Sequence, residues 1–225
     1  MKITWLGQAG FLFETLNRKI LIDPYLSNSV EKVQPQNRRR VMIDERFLEI
    51  KPDVIVLTHN HLDHTDPETL VHYLKENASV TVLASQNAYE NVRKFGALGN
   101  NYVCFNEGSI WTESGLKFSA IKAEHSDSHA IGVIINYQGK NYYHTGDTLY
   151  NEKIFSQLNN KNIDVLFLPI NGVGNNMNVE DAIAFAKRVS PEVVIPMHFG
   201  MFDDIKPPIL YFKTIIPKEY QMFEV

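Results

Sequence analysis

Asp53-Val54-Ile55-Val56-Leu57-Thr58 runs directly into His59-Asn60-His61-Leu62-Asp63-His64, and the fold class follows from this junction. The first half is a short, apolar, β-branched run of the kind that forms a buried strand. The second half offers four potential metal ligands, His59, His61, Asp63 and His64, within six residues, so they lie on the loop where that strand ends. Imidazole and carboxylate suit zinc, iron or manganese. A spacing of two residues lets one pair of rings converge on a first ion while the next pair turns toward a second, so one loop can seed two metal sites. Accidental clustering of exposed histidines is the bland alternative, and an HxHxDH string placed directly after a strand argues against it.

Upstream of this junction, Lys2 to Leu6, Phe11 to Glu14 and Lys19 to Ile22 read as antiparallel strands, with Gly7 and Gly10 at a bend or bulge. Asp23-Pro24 ends the third strand, and the proline biases Asp23 toward extended backbone. Asp23 is then either a turn former or a carboxylate that supports a ligand histidine. From Ser27 to about Glu45 the chain is polar and aperiodic, which predicts a long surface excursion rather than core; such loops often serve as lids. Its Arg38, Arg39 and Arg40 read as solvated in preference to anion-binding.

Downstream, Asp66-Pro67-Glu68 predicts a capped helix start, with the helix reaching about Glu76 and carrying His72 as a surface or packing residue. A strand over Ser79 to Leu83, a helix over Gln86 to Phe95 and a strand over Tyr102 to Phe105 continue an α/β alternation. Leu116 to Ala123 then delivers Glu124-His125-Ser126-Asp127-Ser128-His129. A hairpin of Ile131 to Tyr137 and Asn141 to His144 ends in Thr145-Gly146-Asp147-Thr148. Ile163 to Pro169 leads into the polar glycine loop Asn171-Gly172-Val173-Gly174-Asn175-Asn176 and a helix from Val179 to Val189 capped by Asn178. Val193 to Met197 presents His198. Each later candidate ligand stands just past an apolar strand, where a sandwich of sheets gathers its loops into one cleft. The tail from Ile205 reads as an edge strand or a packed arm.

At 225 residues and 44% hydrophobic, the chain can bury a real core, and we read residues 1–225 as one domain. A net charge of -4 argues against a general nucleic-acid binder, whose affinity rests on releasing counterions from phosphate. No apolar run approaches the ~20 residues of a membrane span, and MKITWLGQAGFLFE alternates like a strand rather than like an export signal. Cys104 is the single cysteine; it cannot form an internal disulfide, fits a reducing cytosol, and reads as a small core residue.

Taken together, His59-x-His61-x-Asp63-His64, His125, Asp147 and His198 resemble, in order and in strand-end context, the metallo-β-lactamase superfamily. The resemblance runs from ITWLGQAGFLFE through LIDP, THNHLDH, AEHSDSH, YHTGDT and VVIPMHFG, and is similar above all to the branch of ascorbate-phosphate-lactonase-like metal-dependent hydrolases. It implies an α/β fold, an αβ/βα four-layer sandwich of two mostly antiparallel or mixed sheets with outer helices. It also implies that His59, His61 and His125 hold one ion, that Asp63, His64 and His198 hold a second, that Asp147 bridges them, and that Asp23 supports the site. No Gly-Gly follows His64 as in glyoxalase II, no cysteine takes a ligand position, and His61 stands where the diiron flavoproteins use glutamate.

The expected cofactors are two divalent ions, zinc or manganese ahead of iron. Two such ions ~3.5–4 Å apart can share a hydroxide and stabilise developing oxyanions. The expected activity is hydrolysis of a small-molecule lactone or ester, phosphorylated in one version, in the cytoplasm; a phosphodiesterase and a non-catalytic metal-binding scaffold are the alternatives. Asp63 doubles as ligand and as orienter of the nucleophile, and His129 is a candidate proton donor or substrate contact. Homo-oligomerisation stays open. Because histidine binds metal only when neutral, protons should compete with metal as pH falls below ~6.5.

Overall fold

The computed structural model describes residues 1–76, 78–208 and 213–225. Six strands lead the chain: β1 (Lys2–Gly7), β2 (Gly10–Glu14), β3 (Lys19–Ile22), β4 (Val54–Leu57), β5 (Thr81–Ala84) and β6 (Asn101–Cys104). Then follow β7 (Ile110–Glu113), β8 (Leu116–Lys122), β9 (Ile131–Tyr137), β10 (Lys140–His144), β11 (Val165–Pro169), β12 (Val193–Met197), β13 (Lys213–Thr214) and β14 (Met222–Glu224). The helices are α1 (Ser29–Val33), α2 (Pro67–Tyr73), α3 (Gln86–Val92), α4 (Glu152–Leu158) and α5 (Val179–Val189), with a 3-10 turn at Glu45–Glu49.

The strands form two seven-stranded sheets, ordered β14-β1-β2-β3-β4-β5-β6 and β13-β12-β11-β10-β9-β8-β7. Both are mixed. β1 to β3 pair antiparallel and β3 to β6 parallel in the first; β7 to β10 pair antiparallel and β10 to β13 parallel in the second. The expected αβ/βα sandwich is what forms.

Alternation along the strands explains the layers. Ile20, Ile22, Val54 and Val56 pack into the core between the sheets, while Leu21, Ile55 and Leu57 turn outward under Leu70 and Tyr73 of α2 and Ala88 and Val92 of α3. A strand apolar on both faces belongs at the centre of such a stack, which is why the Val54–Leu57 run has no polar member. Between the sheets, the Phe167 ring of β11 meets Phe11 and Phe13 of β2 edge-on, at centroid distances of 5.0 and 5.4 Å. Edge-on pairs match the positive rim of one ring to the negative face of another.

Two helices start as the sequence dictates. Asp66 accepts from the Glu68 and Thr69 amides ahead of Pro67, and Asn178 and Asp181 form a reciprocal capping box. α2 stops at Tyr73, short of the expected Glu76, and α3 stops at Val92, short of Phe95. The β11 strand begins at Val165 and not Ile163. Cys104 is exposed and not in the core, because it ends the edge strand β6, where only one side has a neighbour to bury it. His72 is exposed on α2, as expected. Part of the tail expectation falls on residues 209–212, outside the described residues; around them β13 and β14 are edge strands, one on each sheet. Among the described residues no helix is long and apolar enough to cross a membrane.

The polar excursion departs from its reading as mere surface. It contains α1 with Val30 buried, and Arg39 is 8% exposed. The Arg39 guanidinium donates to the Val41 carbonyl, the Tyr25 carbonyl and the Tyr220 hydroxyl, at 2.8, 2.9 and 2.9 Å, and lies over the Tyr25 ring. Arg40 pairs with Asp204, and its amide donates to the Met201 carbonyl. Arg38 and Arg40 both keep the solvated reading, their side chains 80% and 47% exposed. One arginine of the three therefore clamps the excursion to the body of the fold.

Arg39→Ala should destabilise the chain by about 2–4 kcal/mol, because a buried fork of charged hydrogen bonds is lost and its acceptors are stranded. Arg38→Ala should stay within about 0.5 kcal/mol of the parent. Urea denaturation of the two variants checks this, and equal midpoints would refute the clamp.

Candidate metal centre

The strand ends named by the sequence do converge. His59, His61 and His125 bring one potential ligand atom each into a group within 4.8 Å of one another, and Asp63, His64 and His198 form a second such group. Asp147 lies against the second: its Oδ2 is 3.4 Å from His64 Nε2 and 3.2 Å from His198 Nε2. The His59 and His64 rings, one from each group, lie 4.0 Å apart. One connected cluster results.

Local backbone explains how each group arrives. Gly146 has φ of 63°, and a Cβ there would sit 2.5 Å from the Ile131 carbonyl, so only glycine lets β10 turn sharply into Asp147. His144 supports that turn: its Nδ1 accepts from the Gly146 amide at 3.2 Å, and its Nε2 donates to the Ala9 carbonyl of the opposite sheet at 2.9 Å. Gln8, Asp23 and His198 all hold left-handed backbone, with φ of 50°, 42° and 58°. Such strain persists only where surroundings over-determine it. Here the His198 amide donates to the Gln8 carbonyl, which also accepts from the Trp5 indole.

Asp23 resolves its two readings by being both. It turns the chain after β3, and its buried carboxylate accepts from the Thr58 amide at 2.8 Å, the Thr58 hydroxyl at 2.5 Å and His64 Nδ1 at 2.8 Å. Although Asp23, His59 and His64 also form a compact group, these bonds engage both oxygens, which favours Asp23 as a support over Asp23 as a ligand. With Nδ1 protonated toward Asp23, the His64 Nε2 lone pair faces the cluster. The same logic applies at His125, whose Nδ1 meets the Asn175 carbonyl at 3.1 Å and leaves Nε2 free to face His61.

Other residues that the sequence did not single out hold two more of the candidate ligands. Gln8 donates to Asp63 Oδ2 at 3.1 Å, and Asn176 donates to Asp147 Oδ2 at 2.9 Å. Asp127 accepts from the Asn60 amide, the Asn87 side chain and the His129 amide, which ties the first ligand loop to the loop carrying His125. A polar Gln between Gly7 and Gly10 in an otherwise apolar stretch was the one available signal for Gln8. His129 is not brought to the cleft lining; its ring contacts Ser128, so the expected proton-donor role has no geometric support.

The cluster tests well against a metal. His59 Nε2, His64 Nε2 and Asp147 Oδ1 are all buried with no hydrogen-bond partner. A buried polar atom left unpaired costs about 1–3 kcal/mol, and three on imidazole and carboxylate within one cluster fit cation ligands. Electrostatics divides the two groups. Burial and the neighbouring imidazoles hold His59 well below the ordinary histidine value, and burial likewise lowers His61 and His125. In the other group burial opposes charge, but Asp147, Asp63 and Asp23 outweigh it and hold His64 well above 6.5. Asp147 and Asp63 similarly raise His198 to about 10. Burial raises Asp147 and Asp63, but His198 and His64 overcome it and leave both carboxyls below their ordinary value.

A cleft of about 770 Å³ opens above the cluster, lined in part by Val30, Val33, Asn37 and Phe202. The excursion that carries α1 thus forms one of its walls.

A family model described as "Beta-lactamase superfamily domain" matches residues 2–198, and the chain belongs to that superfamily. It is 30% identical over 224 residues to a protein of Thermoplasma acidophilum named as a metal-dependent hydrolase, covering 96% of this chain and 90% of that one. A metallo hydrolase of Ignicoccus hospitalis superposes with a TM-score of 0.74 at 24% identity, covering 100% and 98% of the two chains. A metallo-beta-lactamase fold protein of Bacillus subtilis superposes with a TM-score of 0.72 at 17% identity, covering 99% of each, so the fold is the metallo-β-lactamase fold.

The two groups should load metal with different pH dependence. In the metal-free chain His64 and His198 are raised, so their charged forms stabilise the fold fully below ~6.5 and lose that contribution as pH rises through the raised values, about 10 for His198. Asp63 and Asp147 are depressed, so theirs is present above ~3.9 and is lost as pH falls through the depressed values. Metal at that group must displace protons held far above neutrality, whereas the imidazoles of His59, His61 and His125 are already neutral at pH 7. Manganese titrations from pH 6 to 9 should show one ion whose affinity levels off by about pH 7 and another whose affinity still rises at pH 9. Parallel profiles would refute the division. The simple expectation of competition near 6.5 then moves lower for His59, His61 and His125 and higher for His64 and His198.

Proposed function

We propose that the chain is a metal-dependent hydrolase that opens a small-molecule lactone or cleaves an ester. In this reading His59, His61 and His125 hold one divalent ion, Asp63, His64 and His198 hold a second, and Asp147 stands between them. The observation that carries it is the set of three buried, unpartnered ligand atoms beneath a cleft large enough for a small substrate. Ions at these groups, when bound, supply Lewis acidity toward an acyl oxygen and make water a better nucleophile near neutral pH.

The chain's own residues then do the positioning. Asp23 fixes the His64 ring and, through the Thr58 hydroxyl 3.1 Å from His59 Nδ1, steadies the His59 ring as well. The Asn175 carbonyl fixes His125, and Gln8 and Asn176 hold the carboxylates of Asp63 and Asp147 at one oxygen each. Asp63 is partly exposed at the cleft floor and can orient a nucleophile there, its deprotonated form favoured by His64 and His198. The cleft is the site of a small-molecule substrate.

The test is a panel of lactones, carboxylic esters and phosphodiesters assayed with protein loaded with zinc, manganese or iron. Lactone or ester turnover supports the reading. Turnover of bis-nitrophenyl phosphate alone would make the chain a phosphodiesterase, and no hydrolysis at all by metal-replete protein would make it a scaffold.

Asp147→Ala should lower activity by roughly tenfold or more and metal content toward one ion per chain, since a carboxylate between two cations offsets their mutual repulsion. Elemental analysis alongside rates checks both; full metal content with full activity would remove Asp147 from the site.

A further inference from the structure

We infer that the substrate of this cleft is uncharged away from its reacting bond and carries an apolar arm that seats between Val33 and Val173. The inference rests on the hydrolase reading above and narrows it.

The walls of the cleft set its preference. Val33, at the end of α1, is 66% exposed, and Val173, in the glycine loop after β11, is 64% exposed. Single exposed valines need no explanation, but these two come from separate segments, a helix end and a loop, and line the same cleft, together with Leu62 and Phe202. Apolar side chains held open to water around a reaction site are a place for an apolar substituent to shed its own water.

Charge points the same way. Among the described residues no lysine or arginine lines the cleft, and apart from the histidines its ionisable members are the carboxylates Asp63, Asp147 and Asp203. None of the three arginines that follow Asn37 lines the cleft: Arg39 bonds to Tyr25, Val41 and Tyr220, Arg40 pairs with Asp204, and the exposed Arg38 lies 3.9 Å from Glu31. A phosphate or carboxylate on the arm, away from the metal group, would therefore meet Asp203 and no lysine or arginine of the cleft walls. Gln34, Asn37 and Asn60 offer neutral hydrogen bonds instead. The phosphorylated version of the substrate expected from the sequence is accordingly the disfavoured one.

The test uses metal-loaded, full-length protein and two non-hydrolysable lactams, one with a butyl arm and one with a carboxypropyl arm, followed by calorimetry. The butyl lactam should bind at least about tenfold more tightly, the range that a few buried methylenes command. Val33→Lys and Val173→Lys, both at exposed positions, should narrow or invert that preference, and Val173→Ser should weaken the butyl lactam by roughly fourfold for each methylene left in water. Equal or tighter binding of the carboxypropyl lactam, no binding of either, or a preference unchanged in both lysine variants overturns the inference. Hydrolysis of the matching lactones is read separately: binding preference without turnover counts against the hydrolase reading, and turnover that favours the anionic arm counts against this one.

Discussion

The fold is constrained by a group of buried polar atoms that no hydrogen bond satisfies. His59 Nε2, His64 Nε2 and Asp147 Oδ1 are enclosed where a neutral core would be cheaper, and the carboxylates beside them are kept ionised in a place that disfavours charge. Much around them opposes the tendency of such a cluster to splay or collapse. The two sheets are tied at the ligand edge, where the Ile131 amide donates to the Thr58 carbonyl and His144 reaches across to Ala9. Left-handed backbone at Gln8, Asp23 and His198 aims side chains that regular strands would point elsewhere, and the paired aromatic rings between the sheets give those strained ends a rigid base.

The ligand set is legible in the sequence because it sits in loops anchored by strong signals. Val54 to Leu57 reads as a buried strand, so the position of His59 to His64 follows, and the same reasoning places His125 and His198; Asp147 after a glycine is weak local evidence and is picked out by the family resemblance. Proline and asparagine caps make α2 and α5 readable at their starts, whereas the ends of α2 and α3 are decided by packing that no local residue announces.

What escapes the sequence depends on long-range partners. Arg39 reads as solvated because nothing near it in the chain predicts Tyr220, which is 181 residues away. Gln8, Asn176 and Asp127 are ordinary polar residues until the fold carries them to a ligand or a ligand loop. His129 errs in the opposite sense: proximity in sequence to His125 suggests a role, yet the loop turns its ring toward Ser128. The lid-like excursion is recognisable by length, but its contribution to the cleft, Val33 facing the same space as Val173, is a product of topology.

Two adjacent cation sites, proposed on three buried ligand atoms that have no hydrogen-bond partner, are the centre of this reading. An anomalous-scattering map from crystals of protein grown without added metal probes them without any assumption about substrate. Two peaks are expected, one among His59, His61 and His125 and one among Asp63, His64 and His198, with Asp147 reaching between them. A single peak enclosed by Asp23, His59 and His64, or no peak in protein that hydrolyses its substrate, would overturn it.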